Sequence, residues 1–120
     1  MYENEIKNLN DYLREQLWMD FEMCNMSRGK LELHGFLDEA EEDKVIITFE
    51  FPYMVNCAFF FSYEGNGDFI SVLDGEEAYK ENEKYGITQG NMVFRLSNTS
   101  ILTDMIIAAK KINIKIMSSK

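Results

Sequence analysis

Residues 31–51 read LELHGFLDEAEEDKVIITFEF. Leu31, Leu33, Gly35 and Leu37 alternate with Glu32, His34 and Phe36. From Lys44 to Phe51, Val45, Ile47, Phe49 and Phe51 alternate with Ile46, Thr48 and Glu50. A repeat of two sends successive side chains to opposite faces of a strand, so each stretch predicts a strand with one buried face. Between them Asp38-Glu39-Ala40-Glu41-Glu42-Asp43 sets five carboxylates in six residues, too costly to bury. The segment is a hairpin with an acidic tip, and an antiparallel sheet is the frame for the rest.

Toward the amino terminus, Ser27-Arg28-Gly29-Lys30 offers a turn and Phe21 to Met26 a further short strand. Met19, Met23 and Met26 read as core fillers there. Earlier still, Ile6, Leu9, Leu13 and Leu17 recur at helical spacing, predicting an amphipathic helix from Glu3 to about Asp20 with Lys7, Asp11, Arg14 and Glu15 on its solvated side. In the other direction Pro52 has no N–H for a ladder and is expected to end its strand. Met54 to Tyr63, apolar on both faces, then reads as a separate, central strand. Asn66-Gly67 suits a primed two-residue turn, which predicts Phe69 to Leu73 folding back on Phe59 to Tyr63.

Asp74, three residues before Glu77, resembles a capping pair and opens a short exposed helix from about Gly75 to Lys84. Asn91 to Ser97 alternates as a strand. Ser100 can cap a helix in which Ile101, Leu102, Met105, Ile106 and Ala109 share a face, and Ile112, Ile114 and Ile116 form a last strand. The expected fold is therefore α+β: a single domain over residues 1–120, built on a mostly antiparallel sheet of five to seven strands, with an N-terminal helix and a helix in the C-terminal region packed on it. The opposite sheet face, around Phe36, Ile46 and Thr48, is expected to be half covered.

The chain has 120 residues, 46% of them hydrophobic, and one Pro, enough for a globular core. With 21 acidic against 12 basic residues the net charge is −9, the wrong sign for gripping a phosphate backbone, so no direct nucleic-acid binding is expected. The start, Met1-Tyr2-Glu3-Asn4-Glu5, lacks the basic and apolar runs of a secretory signal. The longest uncharged stretch, Phe51 to Tyr63, is 13 residues and contains Pro52, too short to span a bilayer. A soluble cytoplasmic protein without membrane association is expected, with Cys24 and Cys57 as free buried thiols.

Zinc and haem sites need clustered His and Cys, whereas this chain has one His and two Cys 33 positions apart. The segments EGNGD and DGEE break the register of a calcium loop, and the GNG triplet lacks the Lys-Ser/Thr of a phosphate loop. A nucleophile could only be Cys24 or Cys57 with His34, unaccompanied by a second base or an oxyanion element. The many carboxylates lie in solvated segments, where their pKa values stay ordinary. No metal, no cofactor and no catalytic residue is expected, and the chain reads as a non-enzyme.

Charge is the informative feature. Residues 38–83 carry two basic and thirteen acidic side chains, residues 84–120 six basic and one acidic. If the hairpin tip and the short helix converge, Asp38, Glu39, Glu41, Glu42, Asp43, Asp74, Glu76, Glu77, Glu81 and Glu83 form one anionic surface able to steer a basic protein partner.

A compact, acidic α+β chain rich in aromatics and Met and empty of catalytic motifs resembles the small acidic immunity proteins of bacterial toxin–immunity systems. The resemblance lies in the general character of the whole chain. It implies a stoichiometric inhibitor of a cognate toxin, for instance a nuclease, whose carboxylates compete for the Lys and Arg side chains that hold substrate phosphates. Tyr79 and Tyr85 would serve as rim anchors. The alternative reading is a small-ligand-binding or homo-oligomeric module, such as a homodimer, that uses the half-covered sheet face.

Overall fold

The two strands read in residues 31–51 lie side by side and antiparallel within a seven-stranded antiparallel sheet. The computed structural model describes residues 2–37 and 42–117. Helix α1 (Glu3–Gln16) is followed by β1 (Met19–Cys24), β2 (Lys30–Phe36), β3 (Val45–Asn56), β4 (Phe60–Tyr63), β5 (Ile70–Leu73), α2 (Gly75–Tyr85), β6 (Met92–Leu96) and β7 (Met105–Ile116). The strands are ordered β4-β1-β2-β3-β7-β6-β5, every neighbouring pair antiparallel. The fold is α+β.

The sheet curls until β4, at one edge, meets the segment that follows β6. The Ser100 N–H donates to the Ser62 carbonyl (2.8 Å), the Glu64 N–H to the Asn98 carbonyl (2.9 Å), and the Ser62 N–H to the Ser100 hydroxyl (3.0 Å). The inner face carries the main core, in which Phe21, Leu33, Ile47, Phe49, Phe61 and Phe94 are closed over by Ile6, Leu9 and Leu13 of α1. The helix stops at Leu17, whose φ of 70° is left-handed. Met19 and Met23 are core, while Met26 is exposed.

β2 as far as Gly35 and the first half of β3 follow the predicted alternation, because one face is buried and the other only partly so, while Phe36, expected on the half-covered face, is buried there against Phe60. Three expectations fail where both faces are buried or where distant partners intervene. First, Pro52 does not end its strand. The ladder of β3 with β2 stops at Glu50, so beyond it β3 has only β7 beside it and the missing donor of Pro52 interrupts nothing. The chain bends there: Phe51 takes φ 54°, its N–H donates to the Gly29 carbonyl (2.9 Å), and the register slips between Pro52 and Met54.

Second, Met54 to Tyr63 is not one central strand, because residues 54–56 end β3 and Phe60–Tyr63 is the edge strand β4, and β4 and β5 do not form the expected hairpin. β4 pairs with β1, and β5 pairs with β6 at the far edge. Third, the helix expected from Ser100 through Ala109 in the C-terminal region is absent; residues 105–109 begin the twelve-residue strand β7. Met105, Ile107 and Ala109 face the inner core. Ile106 and Ala108 join a second cluster on the outer face with Leu73, Ile87 and Val93. A run buried on both faces loses its period of two and mimics a helical stripe. The second helix of the fold is α2, laid over that outer cluster with Ala78 and Tyr85 against it.

Candidate functional site

The acidic residues singled out in the sequence fall into two places. Asp38, Glu39 and Glu41 lie outside the described residues. Glu42 is exposed and Asp43 half-buried, both just before β3. Asp74 is the N-cap of α2 but makes no side-chain capping bond, so the expected pair with Glu77 is not formed, and Glu76, Glu77, Tyr79, Glu81, Glu83 and Tyr85 lie along the helix. That helix sits at the other end of β3, where the Tyr53 hydroxyl donates to the Gly86 carbonyl (3.0 Å) and Asn56 Nδ2 donates to the Tyr85 hydroxyl (2.7 Å). The twelve residues of β3 separate the two places, on the order of 30 Å at a strand rise of about 3.3 Å per residue. The described acids therefore form two surfaces.

On α2 the half-buried side is Ala78, Glu81, Asn82 and Tyr85, and no residue of the helix is fully buried. Its outward side presents Glu76, Lys80 and Glu83 beside Tyr79, which is 61% exposed and donates its hydroxyl to Glu83 (2.9 Å), while Glu77 and Lys84 lie on the opposite flank. Glu77 also meets Arg95 at 3.5 Å. Tyr85 is engaged at the seam with β3, and Lys84 lies 5.3 Å over its ring. Tyr79 is the exposed aromatic of the pair.

The second place is a cluster on the outer face of β1 and β2. The register sets Cys24 opposite Glu32 and Glu22 opposite His34. His34 bridges two carboxylates, its Nε2 2.7 Å from Glu32 and its Nδ1 2.8 Å from Asp43. Asn25 Nδ2 donates to the same Glu32 oxygen (2.7 Å), and Lys30 stands 3.2 Å from the other. Cys24 Sγ, a Glu32 oxygen and a His34 ring nitrogen lie within 4.8 Å of one another. Ten residues separate Cys24 from His34, a spacing that signals nothing until the β1–β2 turn closes. The cluster was visible in the sequence only as isolated residue types.

The electrostatics follow from this packing. The hydrogen bonds from His34 and Asn25 hold the Glu32 carboxyl at about 2, well below the ordinary 4.5. Burial pulls the His34 pKa down, but its hydrogen bonds to Glu32 and Asp43 outweigh that and raise it above 6.5. Burial first, then the charges of Glu32, Glu22 and Asp43, push the Cys24 thiol up, and burial alone pushes Cys57 to about 12. Both cysteines are free and half-buried, and neither is an activated nucleophile. His34 has both nitrogens on carboxylates and is not poised as a base for either.

A pH dependence follows. Glu32 has a depressed folded pKa, so its stabilisation is complete above 4.5 and is lost as pH falls toward 2. His34 has a raised one, so its share is complete below 6.5 and is lost as pH rises through its folded value. The stability difference between the parent and His34→Gln is therefore expected to be largest between those limits. Urea unfolding at about pH 2.5, 5.5 and 9 checks this; a difference independent of pH would refute it.

A groove of 520 Å³ runs on the inner side between α1 and β5, lined by Tyr2, Ile6, Asn10, Arg14, Ile70 and Val72 among others. It is not on the half-covered outer face. Among the described residues, no helix is long and apolar enough to cross a membrane. No protein-family description, curated protein or solved structure matches the chain.

Proposed function

We propose that the protein is a non-catalytic binding protein of the immunity type, which neutralises a basic protein partner, such as a toxin domain, through the acidic outer side of α2. The observation that carries this reading is that α2 contributes no fully buried residue and yet is anchored to the body by Tyr53 and Asn56. A helix that adds little to the core but is held in a fixed pose offers a preformed surface, and pre-organisation lowers the cost of binding. Asp74, Glu76, Glu77 and Glu83 outweigh Lys80 and Lys84 on this exposed side and supply a net negative field, and Tyr79, between Glu76 and Glu83, is an aromatic anchor. The raised thiol pKa values of Cys24 and Cys57 disfavour a cysteine-dependent enzyme. On β1 and β2 the outer sheet face carries Glu22, Glu32 and His34 between Phe60 and Ile46, and charged groups of this kind disfavour the homodimer alternative there because such interfaces are apolar at their centre.

The test is association kinetics. A partner captured on the tagged chain from its native cells, or the product of the adjacent reading frame, is expected to be basic. Its association rate should fall steeply with salt. Reversal of Glu76, Glu77 and Glu83 to Lys should lower that rate at least about tenfold, a far larger effect than the modest loss of stability expected from the lost Arg95–Glu77 and Tyr79–Glu83 contacts. Equal rates for the triple variant and the parent would defeat the proposal.

A further inference from the structure

We propose that Cys24, Glu32 and His34 form a binding site for one divalent transition-metal ion of the zinc class, with Asp43 as the positioning residue behind His34. The inference is independent of the reading of α2, which lies elsewhere on the fold. A thiol, an imidazole and a carboxylate already converge within 4.8 Å of one another, all half-buried. At ordinary zinc–ligand lengths, tetrahedral donor atoms stand about 3.4 Å apart, so small side-chain movements close the set, and the Cys24 thiol proton and the His34 Nε2 proton now shared with Glu32 pass to solvent as the ion binds.

The scaffold is suited to the task. Cys24 and Glu32 are a directly opposed pair on adjacent strands, and His34 lies two residues along β2 on the same face. Ligands carried by paired strands are held more rigidly than ligands on loops. The Nδ1 contact with Asp43 (2.8 Å) is the carboxylate–histidine arrangement that orients a ring for coordination through Nε2. Nε2 is the nitrogen that faces Glu32. Asn25 and Lys30 fix the Glu32 carboxylate, and the charges of Glu22 and Asp43 favour a cation. Thiolate and imidazole together select a zinc-like ion over magnesium or calcium. Three protein donors leave a fourth position for water.

Cobalt(II) added to the full, reduced chain is the probe, because a thiolate ligand gives it an intense near-ultraviolet charge-transfer band. One equivalent is expected to produce the band and one equivalent of zinc to abolish it. The band should persist in Cys57→Ser and in the α2 triple-lysine variant, disappear in Cys24→Ser, and need at least about tenfold more cobalt in His34→Gln or Glu32→Gln. Far-UV circular dichroism confirms that each variant is folded. A parent chain without the band, or a band that survives in folded Cys24→Ser, would overturn the site. Persistence in the α2 variant separates its failure from that of the binding surface.

Discussion

Replacement of Phe21 by Ala is expected to destabilise the protein by about 3–5 kcal/mol, the range for deleting a fully buried aromatic side chain. Phe21 is 0% exposed. Its ring stacks on Phe69 at 4.8 Å and on Phe61 at 5.6 Å, with interplanar angles of 8° and 17°. These rings come from β1, from β4 and from the residue just before β5, so the stack draws the two edges of the curled sheet together. Gly35, opposite Phe21 in the register, leaves the room: a Cβ there would stand 2.8 Å from both Phe21 Cε1 and Met19 Sδ. Urea unfolding followed by far-UV circular dichroism measures the loss, and a change below about 1 kcal/mol would show that the stack does not hold the edges. The geometry adds a coupling. Gly35→Ala should cost less in the Phe21→Ala background than in the parent, since the nearest ring has gone; additive losses would contradict the close approach.

The same stack explains why part of the fold could not be read in advance. In residues 31–51 one face is buried and one solvated, and alternation alone places β2, the start of β3 and their antiparallel pairing. Around Asn66-Gly67 the turn chemistry is favourable, but long-range contacts decide the outcome. Phe61 pairs with Phe21 of β1, the Asn10 side chain of α1 bonds the backbone of Phe69 and Ile70 where β5 begins, and a Cβ on Gly65 would run into the Leu17 carbonyl oxygen at the end of α1. Those contacts send β4 and β5 to opposite edges, and none is local in sequence. The position of α2 was legible from local start signals at Asp74 to Glu77, whereas its seat on the outer cluster through Ala78 and Tyr85 was not. The cluster of Cys24, Glu32, His34 and Asp43 was not, because it exists only in the β1–β2 register and in the approach of the β2–β3 connection. Single His and Cys residues carry no spacing signal of their own.

Asn10 is the second residue whose loss should be severe. It is the buried polar side chain of α1, 4% exposed. Its Oδ1 accepts from the Phe69 N–H (2.9 Å) and the Ile70 N–H (3.1 Å), while its Nδ2 donates to the Ile70 carbonyl (3.0 Å). One amide thus satisfies three backbone groups where β5 begins at the edge of the sheet. Asn10→Ala leaves all three buried without that partner, at about 1–3 kcal/mol each, so a total loss of about 3 kcal/mol or more is expected. Asn10→Asp separates hydrogen bonding from packing. It keeps the acceptor for both N–H groups, loses the donor to Ile70 and sets a charge in the core, so its deficit should shrink as pH falls and the carboxyl regains a proton. The Asn10→Ala deficit should not. Amide exchange gives the local signature. Phe69 and Ile70 should lose protection beyond the drop shared by Ile47 and Phe49 at the sheet centre. Uniform loss across the sheet would mean that Asn10 acts only through global stability. A selective loss would mean that it pins the strand from which α2 departs, and so fixes where the acidic helix stands.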